Sequence, residues 1–173
     1  DAVLVDNIDA SRRITETIIQ KGFSRIGFIG GNMDLTSARE RYEGYRLALQ
    51  NHSIAYDDSI VQFGDFHINS GAECARRLLS LSPPPEYLYV SNFYMHIGAV
   101  KYLMHLSRRE AAFIPRIASF DQMEVTSALG FSDISAAQPM EQIGRKAAEL
   151  IIDRIQTNTA AFPQIIRLPA TLI

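Results

Sequence analysis

The amino-acid sequence predicts a doubly wound α/β domain, in which a parallel sheet lies between two layers of helices (a three-layer α/β/α arrangement). Short apolar runs alternate with helical segments, which is typical of parallel sheets covered by helices. Several of these runs, such as IGFIG at 26–30 and YLYVS at 87–91, lack charged residues and are largely apolar at successive positions, as expected of strands covered on both faces. The 173 residues suffice for one full core and are too few for two large domains.

The predicted elements follow one another along the chain with short connections. Strands are predicted at residues 2–5, 25–29, 59–63, 86–91, 116–120 and 134–137, and a last extended segment at 165–173. Helices are predicted at 9–21, 37–51, 69–81, 92–106 and from 140 to about 157. Ligands of open α/β sheets bind where the carboxyl ends of the strands meet. The candidate loops are therefore 30–37, 64–69, 91–93 and 121–123.

The helix at 37–51 carries an arginine where its periodicity requires an apolar residue. Its apolar side chains gather on one stripe at about 100° per residue, and Arg41 falls inside that stripe. Ser37 and Glu40 have the spacing of a capping box, which predicts a helix start at Ser37. Arg41 should therefore point inward, where it needs a polar ligand or an internal carboxylate such as Glu40 or Asp65. These residues alone leave both alternatives open.

Hydrogen-bonding and aromatic side chains occupy the predicted loop ends, namely Ser37, Arg41, Phe66, Asn92 and Asp121. Arginine, asparagine and aspartate can make paired hydrogen bonds with adjacent hydroxyls, and an aromatic ring can cover the apolar face of a sugar or nucleobase. Asn92 is also expected to be the N-cap of the helix that follows it, a role compatible with ligand binding. The loop ends therefore favour a small-molecule binding site.

Other chemistries have little support in the sequence. Gly27, Gly30 and Gly31 lack the G-x-G-x-x-G spacing, and no G-K-[ST] follows, so tight-turn glycines are favoured over a phosphate site. The four histidines are scattered singly, and one cysteine, Cys74, allows neither an internal disulfide nor a cysteine-based metal site. The sequence therefore predicts no catalytic residues, no metal and no cofactor.

Composition constrains the partners and the compartment. The net charge is −2 and no dense block of lysine and arginine is present, which argues against DNA binding by these residues. No apolar run is long enough to span a bilayer and no signal-peptide pattern occurs at the start, so the cytoplasm is the default compartment. The chain begins with the strand at 2–5, without a preceding turn, and truncation at the N-terminus is expected.

The helix at 92–106 has two apolar stripes. Phe93, Ile97, Val100 and Met104 form one stripe, and a second lies nearly opposite. One stripe can face the sheet, and the other requires a second surface. A subunit interface, which would make the protein a homodimer, and burial under a neighbouring loop remain alternatives.

The ordered motifs resemble the effector-binding region of the lactose-repressor family of bacterial transcription regulators, which is similar in fold to periplasmic sugar-binding proteins. The motifs are VDN at 5–7, GFSRIGFIGG at 22–31, SARERYEGYRLAL at 37–49, GDF at 64–66, PPPEYLYVSN at 83–92 with IGA at 97–99, IASFDQ at 117–122 and QPMEQIGRKAAELIIDRI at 138–155. The resemblance extends over the whole chain.

The resemblance implies roles for the loop-end residues. Ser37 and Arg41 would hold hydroxyls or a carboxylate of a small-molecule effector, a carbohydrate by this resemblance. Phe66 would stack on its ring, and Asn92 and Asp121 would make further hydrogen bonds.

Two further positions bear on the same site. Asp6 would lie at the hinge side of the cleft and is a weaker candidate. Phe93 follows Asn92 where the family commonly has Asn-Asp, which predicts a more apolar pocket.

The resemblance also implies a domain organisation. Residues 1–137 and 165–173 would form the second effector subdomain, and residues 138–164 would be the returning helix of an otherwise absent first subdomain. DNA would be bound only through a missing N-terminal helix-turn-helix domain.

A solute-binding protein of a sugar transport system is the competing class. An upstream helix-turn-helix would indicate the regulator, and a signal peptide would indicate the transport protein. An enzyme is disfavoured because no nucleophile or acid–base pair converges in the sequence.

Overall fold

The computed structural model describes residues 1–107, 113–122, 132–157 and 163–173. The strands are β1 (Ala2–Val5), β2 (Ile26–Gly30), β3 (Val61–Phe63), β4 (Tyr87–Val90), β5 (Arg116–Phe120), β6 (Ile134–Ala137), β7 (Ile165–Leu168) and β8 (Thr171–Leu172). The helices are α1 (Asn7–Gln20), α2 (Thr36–Asn51), α3 (Ile68–Leu79), α4 (Phe93–Leu106) and α5 (Met140–Thr157), and a 3₁₀ turn (Asp58–Ile60) precedes β3. Met123 of the last candidate loop, and residues 158–162 of the predicted returning segment, lie outside the described residues.

The main sheet has six strands in the order β3-β2-β4-β5-β6-β8. All neighbouring strands are parallel except β8, which is antiparallel to β6. The chain moves outward from β2 to β3 and then returns to β4 on the other side of β2. This reversal creates a topological switch point between β2 and β4, which is where open α/β sheets bind ligands. The predicted fold class is confirmed.

Two helix pairs cover the two faces of this sheet. Phe28 of β2 packs with α1 and α2, whereas the next residue, Ile29, packs with α3 and α4. In β4, Tyr89 and Leu88 divide between the same two cores. Because successive side chains of a strand point to opposite faces, apolar residues at successive positions were the correct sign of a sheet buried on both sides.

Strands β1 and β7 form a separate two-stranded parallel sheet, with Ala2 opposite Ile165 and Val5 opposite Leu168. This differs from the single sheet that the sequence analysis expected, because periodicity identifies a strand without identifying its partner. Helix α5 packs against β1. The chain therefore passes between the two sheets three times: at Asp6, at 138–139 and at 169–170.

Glycines allow the helices of each pair to approach closely. A Cβ at Gly71 of α3 would collide with the backbone of Met95 in α4, and a Cβ at Gly98 would collide with the carbonyl oxygen of Ile68. Gly44 of α2 lies in the same way against the carbonyl oxygen of Ile8 in α1. These positions require glycine because the opposing atoms belong to the backbone and cannot rotate away.

We expect Gly71→Ala to lower the free energy of unfolding by about 1–3 kcal/mol, since overpacking forces the two helices apart. Gly144→Ala is the matched control, because Gly144 lies in α5 and a Cβ there meets no atom within 4 Å. This control should be neutral or stabilising by up to about 1 kcal/mol through helix propensity. Urea unfolding at neutral pH measures both changes, and equal effects would contradict the packing argument.

Candidate small-molecule binding site

The candidate site lies at the carboxyl ends of β2, β4 and β5, next to the switch point. Arg41 comes from α2, the helix that follows β2, while Asn92 and Asp121 directly follow β4 and β5. Their strands are adjacent in the sheet, so residues that are distant in sequence end at one edge. Arg41 and Asp121 are in direct contact, with 3.5 Å between Nη1 and Oδ2.

Arg41 is a nearly buried cation, with 7% of its surface exposed. Its Nε donates to Oδ1 of Asn7 at 2.9 Å, and its Nη1 donates to the carbonyl oxygen of Ser91 at 2.7 Å. The guanidinium carbon lies 3.7 Å from the ring centre of Phe120, a distance that favours cation–π attraction. Nη2 donates no hydrogen bond within the described part of the chain, so this group can still donate to a ligand.

The inward orientation of Arg41 is confirmed, and its acidic partner is Asp121. From the sequence alone, Glu40 and Asp65 were the expected acidic partners. Neither of these side chains forms an ion pair with Arg41 in the described residues: Glu40 binds Arg167 and Asn7, and the Asp65 carboxylate accepts from the backbone N–H of His67. A buried ion pair and a ligand-binding role are compatible here, because the pair reaches the loop ends.

The predicted capping box at Ser37 is wrong. Helix α2 begins at Thr36, and the preceding residue, Leu35, makes no side-chain capping hydrogen bond. Glu40 instead accepts from Nδ2 of Asn7 at 2.9 Å and from Nη2 of Arg167 at 2.6 Å. Glu40 thus bonds to side chains that are distant in sequence and not to the start of its own helix.

Asp121 and Phe66 both have left-handed backbone conformations, with φ of 74° and 68°. Such a conformation costs a non-glycine residue about 1–2 kcal/mol and persists where surrounding contacts hold it. Asp121 is held by Arg41 on one carboxylate oxygen and by Nε2 of Gln138 on the other. Both strained residues are candidate site residues, as is common at binding sites.

The Phe66 ring lies directly over Gly31, where a Cβ would collide with it. Gly30 similarly makes room for the rings of Phe28 and Phe63. Neither Gly30 nor Gly31 has a positive φ, so these glycines serve close aromatic packing and not the tight turn expected from the sequence.

A groove next to this site is lined by Phe66, Asn92 and Tyr94, together with His67, Ile68, Asn69 and Lys101. Asn92 is the N-cap of α4, as predicted, because its Oδ1 accepts from the backbone N–H of Met95 at 3.1 Å. Its Nδ2 has no acceptor in the described residues and remains a possible donor. Phe66 and Asn92 therefore share one surface.

Ser37 and Asp6 are less closely integrated. Ser37 lies one helical turn before Arg41, is partly exposed, and its hydroxyl has no hydrogen-bond partner in the ranges described. The Asp6 carboxylate caps α1 by accepting from the backbone N–H of Asp9 at 3.1 Å, and the backbone N–H of Asp6 donates to Leu168. The predicted binding roles of both residues remain predictions.

Several contacts of Arg41 and Asp121 were not predicted from the sequence. Asn7, Ser91 and Phe120 all touch Arg41, and Gln138 touches Asp121. Asn7 and Gln138 belong to the recognised VDN and QP motifs, so a polar role could have been assigned to them. Ser91 acts through its carbonyl oxygen, which carries no signal in the sequence.

The charge state of Glu40 reflects competing effects. Burial alone would raise the pKa of its carboxyl, but hydrogen bonds from Arg167 and Asn7, with the charges of Arg167 and Arg41, outweigh burial and leave that pKa below its ordinary value. Glu40 therefore keeps its negative charge close to two arginines.

Other types of site lack support among the described residues. That part of the chain contains no group of three or more histidine, cysteine or acidic side chains able to hold a metal ion. Cys74 is buried, and burial raises the pKa of its thiol, which disfavours the reactive thiolate. None of the described helices has the length and apolar character needed to cross a membrane.

Residues 15–173 match the periplasmic binding protein-like domain family. The transcriptional regulator CelR of Thermobifida fusca is 32% identical over 155 residues, covering 90% of this chain and 45% of the regulator. The ribose operon repressor of Escherichia coli strain K12 is 31% identical over 145 residues, covering 84% of this chain and 44% of the repressor. The chain thus spans a little under half the length of these relatives.

Solved structures show the same similarity. A complex of CelR with cellobiose superposes with a TM-score of 0.88 at 32% identity, covering 99% of this chain and 52% of the other. The fold of the chain is therefore that of the corresponding part of a sugar-binding regulator.

We expect the contribution of Glu40 to stability to disappear in acid. A carboxyl whose pKa is depressed by folding stabilises the native state at neutral pH, and this contribution is lost as the pH falls through the folded-state pKa. Glu40→Gln should therefore be destabilising at about pH 7 and much less so at about pH 3. Urea unfolding at both pH values measures the difference. Glu43→Gln, an exposed position on the same helix, is the control, and a pH-independent effect of Glu40→Gln would contradict the expectation.

Proposed function

We propose a function for this chain, which belongs to the periplasmic binding protein-like domain family and is similar to transcriptional regulators of the lactose-repressor type. In this proposal the chain is the effector-sensing part of a bacterial DNA-binding regulator. It binds a small neutral sugar or sugar derivative in a cleft. Occupancy of the cleft changes the affinity of a separate N-terminal domain for DNA.

The observation that carries this proposal is the partly satisfied guanidinium of Arg41. Asn7 and Ser91 fix two of its nitrogens, while Nη2 can donate to a ligand. The carboxylate of Asp121, 3.5 Å from Nη1, can accept hydrogen bonds from hydroxyls. A fixed donor beside a fixed acceptor matches the adjacent hydroxyls of a sugar.

The charge and shape of the site favour a neutral ligand. Arg41 and Asp121 balance each other's charge, so an anionic ligand would meet the carboxylate as well as the guanidinium. The partly exposed Phe66 ring can cover the apolar face of a sugar ring. Among the relatives, CelR has been solved with cellobiose, a neutral sugar, which supports the same ligand class here.

We infer that the other wall of the cleft belongs to a first subdomain. The returning segment 138–164 would be part of it, as predicted. Strands β1 and β7, which the sequence prediction placed in the second subdomain, would join it because they form their own sheet. A groove between β1 and α5 is lined by Ala2, Val3, Leu150, Ile151 and Ile155 among others. Ile151 and Ile155 are 61% and 76% exposed, which fits an apolar surface that further chain would cover.

The proposed mechanism is a population shift between two relative orientations of the subdomains. A ligand shifts such an equilibrium only by its difference in affinity for the two states. Contacts from both walls of a cleft provide that difference, since they exist together only when the cleft is closed. The regulator would be cytoplasmic and would act as a homodimer, without a membrane partner.

The relatives favour this reading over a transport receptor, because CelR and the ribose operon repressor are transcriptional regulators. An enzymatic function is not proposed. Arg41 and Asp121 are suited to hold hydroxyls, and no nucleophile accompanies them in the described residues.

Arg41→Ala should reduce the response of the full-length protein to its sugar to about a third or less at the same sugar concentration. A sugar at about 100 times its Kd stabilises the folded state by roughly 2.7 kcal/mol, which a thermal-shift screen detects. The screen compares neutral mono- and disaccharides, sugar phosphates and nucleosides. Loss of the buried guanidinium should weaken binding at least about thirtyfold.

Arg39→Ala is the control for that experiment, because Arg39 lies on the same helix and is exposed. It should respond like the wild type. A full response of Arg41→Ala would refute the assigned role of Arg41, and a response to sugar phosphates alone would refute the neutral ligand.

The 173-residue chain by itself should bind the same sugar at least about a hundredfold more weakly than the full-length protein, because closure contacts from the second wall supply much of the affinity. Calorimetric titration of both proteins with the sugar that gives the largest thermal shift measures the ratio. Equal dissociation constants would show that this chain contains the whole site.

A further inference from the structure

One continuous chain of polar contacts links all three passages between the two sheets. Its members, in order of contact, are Arg167, Glu40, Asn7, Arg41, Asp121 and Gln138. Arg167 lies on β7, close to the third passage. Asn7 directly follows the first passage, and Gln138 lies in the second. Helix α2 supplies the two central groups, Glu40 and Arg41.

Asn7 can couple the orientations of Arg41 and Glu40, because both the oxygen and the nitrogen of its side-chain amide form hydrogen bonds. Its Oδ1 accepts from Nε of Arg41, and its Nδ2 donates to Oε2 of Glu40, each at 2.9 Å. Asn7 is 6% exposed, so water cannot readily replace either partner. The amide also donates to the carbonyl oxygen of Val5 on β1 at 3.3 Å, so a change at one end of the amide alters the geometry of the hydrogen bonds at the other.

Both carboxylate oxygens of Glu40 are likewise engaged. One carboxylate oxygen accepts from Asn7, and the other accepts from Nη2 of Arg167 at 2.6 Å. The side chain of Glu40 is 11% exposed and that of Arg167 is 39% exposed. The ion pair therefore extends from the protected interior to the outer strand β7, which belongs to the other sheet.

We propose that Glu40 and Asn7 are positioning residues that couple the orientation of the Arg41 guanidinium to the small β1–β7 sheet. A displacement of β7 moves Arg167 and thereby shifts the Glu40 carboxylate that accepts from Asn7. The shift of Asn7 then changes the hydrogen bond between Asn7 and Arg41. The coupling is reciprocal: a ligand that re-engages Arg41 or Asp121 shifts the preferred position of the small sheet. That Arg41 contacts the ligand rests on the proposed function.

The test uses the ¹⁵N-labelled full-length protein without any ligand and follows the Nε–H resonance of Arg41. Arg41→Lys identifies this resonance by removing it. In Arg167→Met, which changes a residue that does not touch Arg41, hydrogen exchange of the Arg41 Nε–H should accelerate about tenfold, because its hydrogen bond to Asn7 is weakened. A merely local role of Arg167 in β7 would leave this exchange unchanged and would overturn the proposal.

Arg39→Met is the matched control. Arg39 is next to Glu40 in sequence, but it donates only to Met33, Asp34 and Thr36, so the Arg41 Nε–H should exchange as in the wild type. Acceleration in this control as well would attribute the effect to α2 in general and would also overturn the proposal.

A double-mutant cycle identifies the route. In a Glu40→Met background both oxygens that join Asn7 to Arg167 are absent, so adding Arg167→Met should change the Arg41 Nε–H exchange little further. Additive effects would mean that Arg167 acts by another path and would overturn the role of Glu40. Because no ligand is present, these results stand even if no sugar binds, which would refute only the proposed function.

Discussion

The buried guanidinium of Arg41 is the constraint on which the rest of the site depends. A cation removed from water is tolerated only when several fixed acceptors surround it. Here the acceptors come from separate parts of the chain: Asn7 at the start of α1, Ser91 at the end of β4, and Asp121 after β5. One side chain therefore holds three loop ends in a defined arrangement at the carboxyl edge of the sheet.

The surrounding fold supports this arrangement by close packing. Gly44 brings α2 against α1, and the hydroxyl of Ser11 in α1 donates to the carbonyl oxygen of Arg41 itself. Tyr89 of β4 donates to the same hydroxyl at 2.9 Å. The backbone at Arg41 is thus tied to a helix and a strand, and its side chain has little freedom to leave the site. A preorganised donor of this kind loses little entropy when a ligand binds.

The passages between the two sheets lie beside the same polar groups. Asn7 directly follows the first passage and is a partner of Arg41, and Gln138 lies in the second passage and is a partner of Asp121. In the proposed mechanism, ligand contacts beside these passages act directly on the segments that connect the two sheets. The polar chain from Arg167 to Gln138 places the candidate ligand groups at that point and not at a distant surface.

Local periodicity in the sequence determined the helices and the first six strands to within two residues, the burial of Arg41 and the capping role of Asn92, whereas the last segment, predicted as one, forms two strands in different sheets. These features depend on nearest neighbours along the chain, whose geometry is the same in every fold. Only the tertiary structure decided that Arg41 pairs with Asp121, that Glu40 binds Arg167 and not a helix terminus, and that β1 pairs with β7. Several acids and several strands are chemically equivalent partners, and the choice among them depends on which distant segments the packed sheet brings together.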